Sequence, residues 1–132
     1  MYASTHNRRL EWAEMLHMGA AAIGAVLFAS WAGFVVAEAF RSDFQPAAAT
    51  YVQAAILAVV FGGYVIGWRR AVLGGVMSLV GTAAFFVVSL YGGTAAQAVA
   101  ESPAMLFAVP GFLYLVSAHY KAAAKSATAG MT

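Results

Sequence analysis

Arg69-Arg70 stands between two long segments that carry no charge, Ala47–Trp68 and Ala71–Ala100. An arginine pair placed between apolar runs reads as a tight turn at a membrane surface, because lipid offers a guanidinium nothing to bind. Only these two residues separate the runs, so the runs must be antiparallel neighbours. This feature excludes most soluble folds, and composition agrees. Of 132 residues, 63% are hydrophobic and 9% charged, where a soluble domain carries roughly 25% charged residues. A water-soluble chain of this kind would expose far more apolar surface than a monomer tolerates.

Four apolar runs are long enough to cross a bilayer, which takes about 20 residues. They are residues 15–37, 49–68, 71–92 and 103–120, flanked by polar tails 1–9 and 121–132. A cleavable signal peptide is rejected for the first run. It is too long for a signal core of roughly 7–15 residues, and Glu11 and Glu14 separate it from Arg8-Arg9. Glu38 to Gln45 reads as a loop, and Pro46 suits the first turn of the second helix. Gly92-Gly93-Thr94 ends the third run. Thr94 to Glu101 has the pattern of a short surface helix, and Ser102-Pro103 that of a helix start. Pro110, which lacks an N–H for the carbonyl of Leu106, is expected to kink the fourth helix. The tail from Lys121 is expected to fray beyond its first turn.

Four spans place both termini on one side. Arg8, Arg9, Arg69, Arg70, Lys121 and Lys125 then fall together, with Arg41 alone opposite. By the positive-inside rule they are topology anchors, and the termini and the Arg69-Arg70 turn are cytoplasmic. The expected fold is all-α: a four-helix transmembrane bundle of a single domain, up-down, in a bacterial inner membrane. Small residues four apart (Ala21, Ala25, Ala29, Gly33 and Ala37; Gly63 and Gly67; Gly74, Ser78 and Thr82) let helices approach closely in lipid. Gly63, Gly67, Gly74 and Ser78 are the expected helix-packing positions.

Chemistry is sparse. The chain has no cysteine, which removes thiolate catalysis and cysteine-ligated metals. Glu14-x-x-His17 is the unit that di-iron bundles use, but those bundles need two such units and two further glutamates. His17 and His119 are the candidate haem ligands, both toward the inner surface, yet at mismatched depth. The aromatics Phe28, Trp31 and Phe34, Phe85, Phe86 and Tyr91, and Phe107, Phe112, Tyr114 and Tyr120 are positioned to line a lipid or quinone groove or to form interfacial belts. No span has an ionisable residue at its middle, which disfavours an ion-coupled carrier. Gln53, Ser30, Ser78, Thr82, Ser89 and Ser117 are the polar candidates, and Ser78, Thr82 and Ser89 share one helix face. No catalytic residue, metal or cofactor is expected. Nor is a nucleic-acid partner, since the net charge is only +2 and the basic residues form no stripe.

Trp68-Arg69-Arg70, Gly74-Gly75, Ser78, Gly81 and Phe85, then Ser102-Pro103 and Phe107-Ala108-Val109-Pro110-Gly111-Phe112-Leu113-Tyr114-Leu115, resemble a family of small bacterial four-span membrane proteins of unknown function. Glu38 at the close of the first span fits the same pattern. The resemblance covers residues 12–120 and leaves out Glu11, Glu14 and the alanine-rich tail. It implies the four-span fold and carries no assigned activity. The expected function is a non-enzymatic accessory or scaffolding component. Its expected partners are membrane lipids and another integral membrane protein or itself. The alternatives are an oligomeric small-solute transporter or channel, and a haem- or quinone-holding redox subunit.

Overall fold

A computed structural model describes residues 2–40, 48–92 and 102–129. Among them the chain is all-α. Helix α1 is Tyr2–Ala39, α2 is Ala48–Arg69 and α3 is Ala71–Gly92; a 3-10 segment, Ser102–Phe107, leads into α4, Ala108–Ala129. Asn7–Ala37, Thr50–Arg69 and Ala71–Tyr91 are long and apolar enough to cross a membrane. The loop expected at Glu38–Gln45 starts later, because α1 runs on to Ala39. Arg41, Asp43, Pro46 and the expected surface helix at Thr94–Glu101 lie outside the described residues.

The apolar run 103–120 is not one α-helix. It opens in the tighter 3-10 form and changes to α at Ala108. Pro110 therefore stands in the first turn of α4 and not at a mid-helix kink. Its missing N–H falls where the preceding carbonyls already belong to a different hydrogen-bond pattern, so it marks the transition between the two.

Both tails are helical. Residues 2–9, expected as a tail, are the first turns of α1, and the segment from Lys121 continues α4 to Ala129. The reason is tertiary. The two helices pack on each other, and Ala13 and Ala124, both outside the apolar runs, are buried. Alanine brings good helix propensity and a small side chain to that contact.

One residue, Arg70, separates α2 from α3. Its N–H donates to the Ile66 carbonyl (2.7 Å) and its own carbonyl accepts from Gly74 N–H (2.9 Å). The turn therefore leaves these backbone groups satisfied at the surface. Contacts of Gly67 with Gly74, Gly63 with Ser78 and Gly81 with Val60, and the bond from Gln53 Nε2 to Ser89 Oγ (3.1 Å), pair falling numbers with rising ones. The helices are antiparallel over their length.

This hairpin packs through missing side chains. A Cβ on Gly74 would collide with the backbone of Gly67 and the Gly63 carbonyl, and one on Gly75 would lie 2.8 Å from the Gly111 carbonyl of α4. The core beside it holds Leu57, Val60, Phe61, Tyr64 and Phe85, with Leu27, Trp31, Ile56 and Phe107 against it. Phe61 is its hub, with ring centroids of Trp31 at 5.0 Å, Phe28 at 5.2 Å, Tyr64 at 5.5 Å and Phe107 at 5.7 Å.

Gly19 and Gly33 are the opposite case, since a Cβ there meets nothing within 4 Å. Gly19→Ala and Gly33→Ala are expected to leave stability unchanged or to raise it by up to about 1 kcal/mol, through helix propensity alone. Denaturant titration in mild detergent checks this, and a loss of 1 kcal/mol or more at either site would show a contact that this packing lacks.

Candidate functional site

Helices α2 and α3, α3 and α4, and α4 and α1 each share long contacts, while α1 and α2 touch far less. The ring of helices is therefore incomplete on one side. A groove of about 690 Å³ opens there. Its α1 wall is small: Ala21, Ala22, Gly24 and Ala25. The other wall is Ala58, Gly62, Val65 and Trp68 of α2, and the floor is Phe28, Trp31, Phe61, Tyr64 and Tyr114. The lining is almost wholly apolar, so hydrocarbon or an apolar helix face is the chemistry that fits it.

Tyrosine hydroxyls anchor the floor. Tyr114, fully buried, donates to the Tyr64 carbonyl (3.2 Å), and Tyr64 donates to the Phe107 carbonyl (2.5 Å) at the 3-10 to α junction. The rings thus tie α2 to α4 without exposing a polar atom to lipid. Nothing in the sequence marks Tyr64 or Tyr114 for this, because aromatics are common in any span.

His17 Nε2–H donates to the Trp68 carbonyl (3.1 Å). That carbonyl lies in the last turn of α2, where acceptors lack an intrahelical donor, so His17 caps the helix. Its ring also meets Tyr114 edge-on at 5.2 Å, and its Nδ1 is buried without a partner among the described residues. His119 is exposed and packs on Tyr120, 6.4 Å between centroids. It is no longer near a helix end, since α4 continues to Ala129. The two candidate haem ligands are thus engaged with different neighbours. Among the described residues no three His, Asp or Glu side chains gather as a metal site.

The face shared by Ser78, Thr82 and Ser89 is turned inward, and all three are buried. Each hydroxyl bonds to its own helix: Ser78 to Gly74 (2.8 Å), Thr82 to Ser78 (2.8 Å) and Ser89 to Phe85 (2.9 Å). Ser117 and Ser30 likewise bond to the carbonyls of Tyr114 (2.9 Å) and Val26 (2.9 Å). Hydroxyls held this way have their proton satisfied within their own helix.

Gly63 lies against Ser78 and Gly67 against Gly74. The α1 stripe does not pack within the chain at Ala25, Ala29, Gly33 or Ala37, which are exposed. Trp31 is half-buried against Phe61; Phe28 touches the same ring with its other side exposed, and Phe34 is exposed. Of the topology anchors, Arg69, Arg70, Lys121 and Lys125 surround one hollow, and Arg8 and Arg9 are exposed on α1 apart from it.

The sequence profile of the family described as "Domain of unknown function (DUF7670)" matches residues 7–129. The chain belongs to that family. The match takes in Glu11, Glu14 and the alanine-rich stretch to Ala129, all outside the resemblance read from the sequence. No curated protein and no solved structure matches the chain.

Proposed function

We propose that this member of an uncharacterised family is a non-enzymatic, four-span accessory protein that docks sideways on a helix of another integral membrane protein. The observation that carries this is the unfilled α1/α2 groove. The span of α1 is 11% buried, against 33% for α2 and for α3, and it presents small residues along an open apolar trough. Small residues permit the backbone approach that drives helix association where lipid removes the hydrophobic driving force.

The fourth span rests on length. Six 3-10 residues at about 2.0 Å and about 13 α residues to Tyr120 at about 1.5 Å rise give about 31 Å, close to the hydrocarbon thickness of about 30 Å. With four spans the topology is up-down. The cluster of Arg69, Arg70, Lys121 and Lys125, with Arg8 and Arg9 on the same side, then marks the cytoplasmic face. The bacterial inner membrane as location rests on the sequence resemblance.

The absence of cysteine makes a single introduced thiol unique. A thiol-attached photocrosslinker at Ala25 or Ala58, in the groove, is expected to trap one discrete protein species in native membranes. The same probe at Val80, on the exposed face of α3, is expected to trap only lipid. Ala25→Trp, which fills the trough, should abolish co-purification of that species while helicity and monodispersity stay as in wild type. If groove and control sites give the same lipid-only adducts, the docking reading fails.

A further inference from the structure

A second hollow, about 680 Å³, lies at the Arg69-Arg70 end of the bundle, between the start of α3 and the last turns of α4. It is lined by four cationic residues, Arg69, Arg70, Lys121 and Lys125, and among the described residues no carboxylate lines it. Its wall is apolar: Val72, Leu73 and Val76 of α3 face Ala118 and Ala122 of α4. Trp68 and His17 complete it. The exposed Trp68 is of the type that sits at headgroup depth.

We propose that this hollow is a binding site for an anionic phospholipid, with the headgroup phosphate among the four basic residues and an acyl chain along Val72, Leu73 and Val76. Two observations point to a lipid and not to a soluble anion. The charges lie at one end of a continuous apolar wall, which a free phosphate would leave unfilled. They also come from the α2/α3 turn and from α4, distant in sequence, so their convergence is not the short basic run that the positive-inside rule alone asks for. A guanidinium pair supplies forked donors for phosphate oxygens, and the lysines add further positive charge. Basic hollows between membrane helices hold anionic headgroups in this way.

The test uses the full chain in bilayers, with Trp12→Phe and Trp31→Phe leaving Trp68 as the one remaining tryptophan. Quenching of Trp68 by phosphatidylglycerol with brominated chains is compared with quenching by brominated phosphatidylcholine at equal mole fraction. The expected preference for phosphatidylglycerol is at least about fivefold, the factor that one basic side chain near an anionic surface supplies. Arg69→Gln with Arg70→Gln, and separately Lys121→Gln with Lys125→Gln, should each cut it, and the quadruple variant should bring it to about one. The second pair keeps the turn intact and guards against a folding defect in the first. Arg8→Gln with Arg9→Gln should leave the preference unchanged. The proposal is overturned if the two lipids quench equally, if the preference survives the quadruple variant, or if the Arg8/Arg9 variant removes as much as the hollow's variants. Inorganic phosphate should not displace the lipid; displacement would assign the site to a free anion instead.

Discussion

Gly74→Val is expected to separate α2 from α3 and to cost about 3 kcal/mol or more. The added atoms would meet Gly67 and the Gly63 carbonyl. Both are backbone, so no side chain can rotate aside and the two helix axes must part. Overpacking a close contact costs about 1–3 kcal/mol where neighbours can shift, and here they cannot. The damage also spreads, because Gly67 lies against the Tyr114 ring of α4 as well, 2.6 Å from where a Cβ would stand, and a shift of α2 disturbs that contact too. Unfolding in a detergent titration, with Gly33→Ala as control, reads the effect. A Gly74→Val protein with wild-type stability would show that the glycine contact does not hold the hairpin.

Tyr114→Ala should be next in size. Tyr114 is fully buried, and two other helices meet on it: α2, through Gly67 and the Tyr64 carbonyl, and α1, through the ring of His17. In lipid the transfer contribution to core burial largely vanishes, since acyl chains are as apolar as the interior. The cavity remains. A void on the order of 100 Å³ at about 24 cal/mol per Å³ costs about 2–3 kcal/mol. Tyr114→Phe keeps the ring and loses only the bond to Tyr64, about 0.6 kcal/mol for an interhelical bond in a membrane. The ratio between the variants is the diagnostic reading. Equal losses would mean that the hydroxyl, and not the ring, joins α2 to α4.

The sequence was most legible where lipid imposes a rule on every residue. Charge-free runs ended by Arg69-Arg70, and glycines at positions 63, 67 and 74, have one physical reading in a bilayer, and the structure places them in a hairpin with those glycines at its contact. The tails were harder. Alanine-rich polar sequence such as Lys121–Ala129 is a marginal helix alone, and it stays helical because Ala13 and Ala124 are buried where α1 and α4 pack. The 3-10 opening of the fourth run was hidden for a similar reason. Pro110 announces a disturbed backbone, but whether it bends a helix or starts one depends on which carbonyls its neighbours satisfy. Here Tyr64 bonds the carbonyl of Phe107 at the junction.

The candidate sites divide in the same way. Apolar run length, arginine placement and small-residue spacing are local properties, so the sequence alone determined the all-α class, three of the membrane-length helices and the α2/α3 hairpin. Which pair of helices packs least closely is not local. The tertiary structure alone decided that α1 and α2 touch less than the other neighbouring helices, that His17 caps α2 through Trp68, that the Ser78, Thr82 and Ser89 hydroxyls face inward, and that Lys121 and Lys125 converge on Arg69 and Arg70. Each depends on how close two helix backbones can come, and that is fixed by the small residues of both partners together and by neither sequence segment on its own.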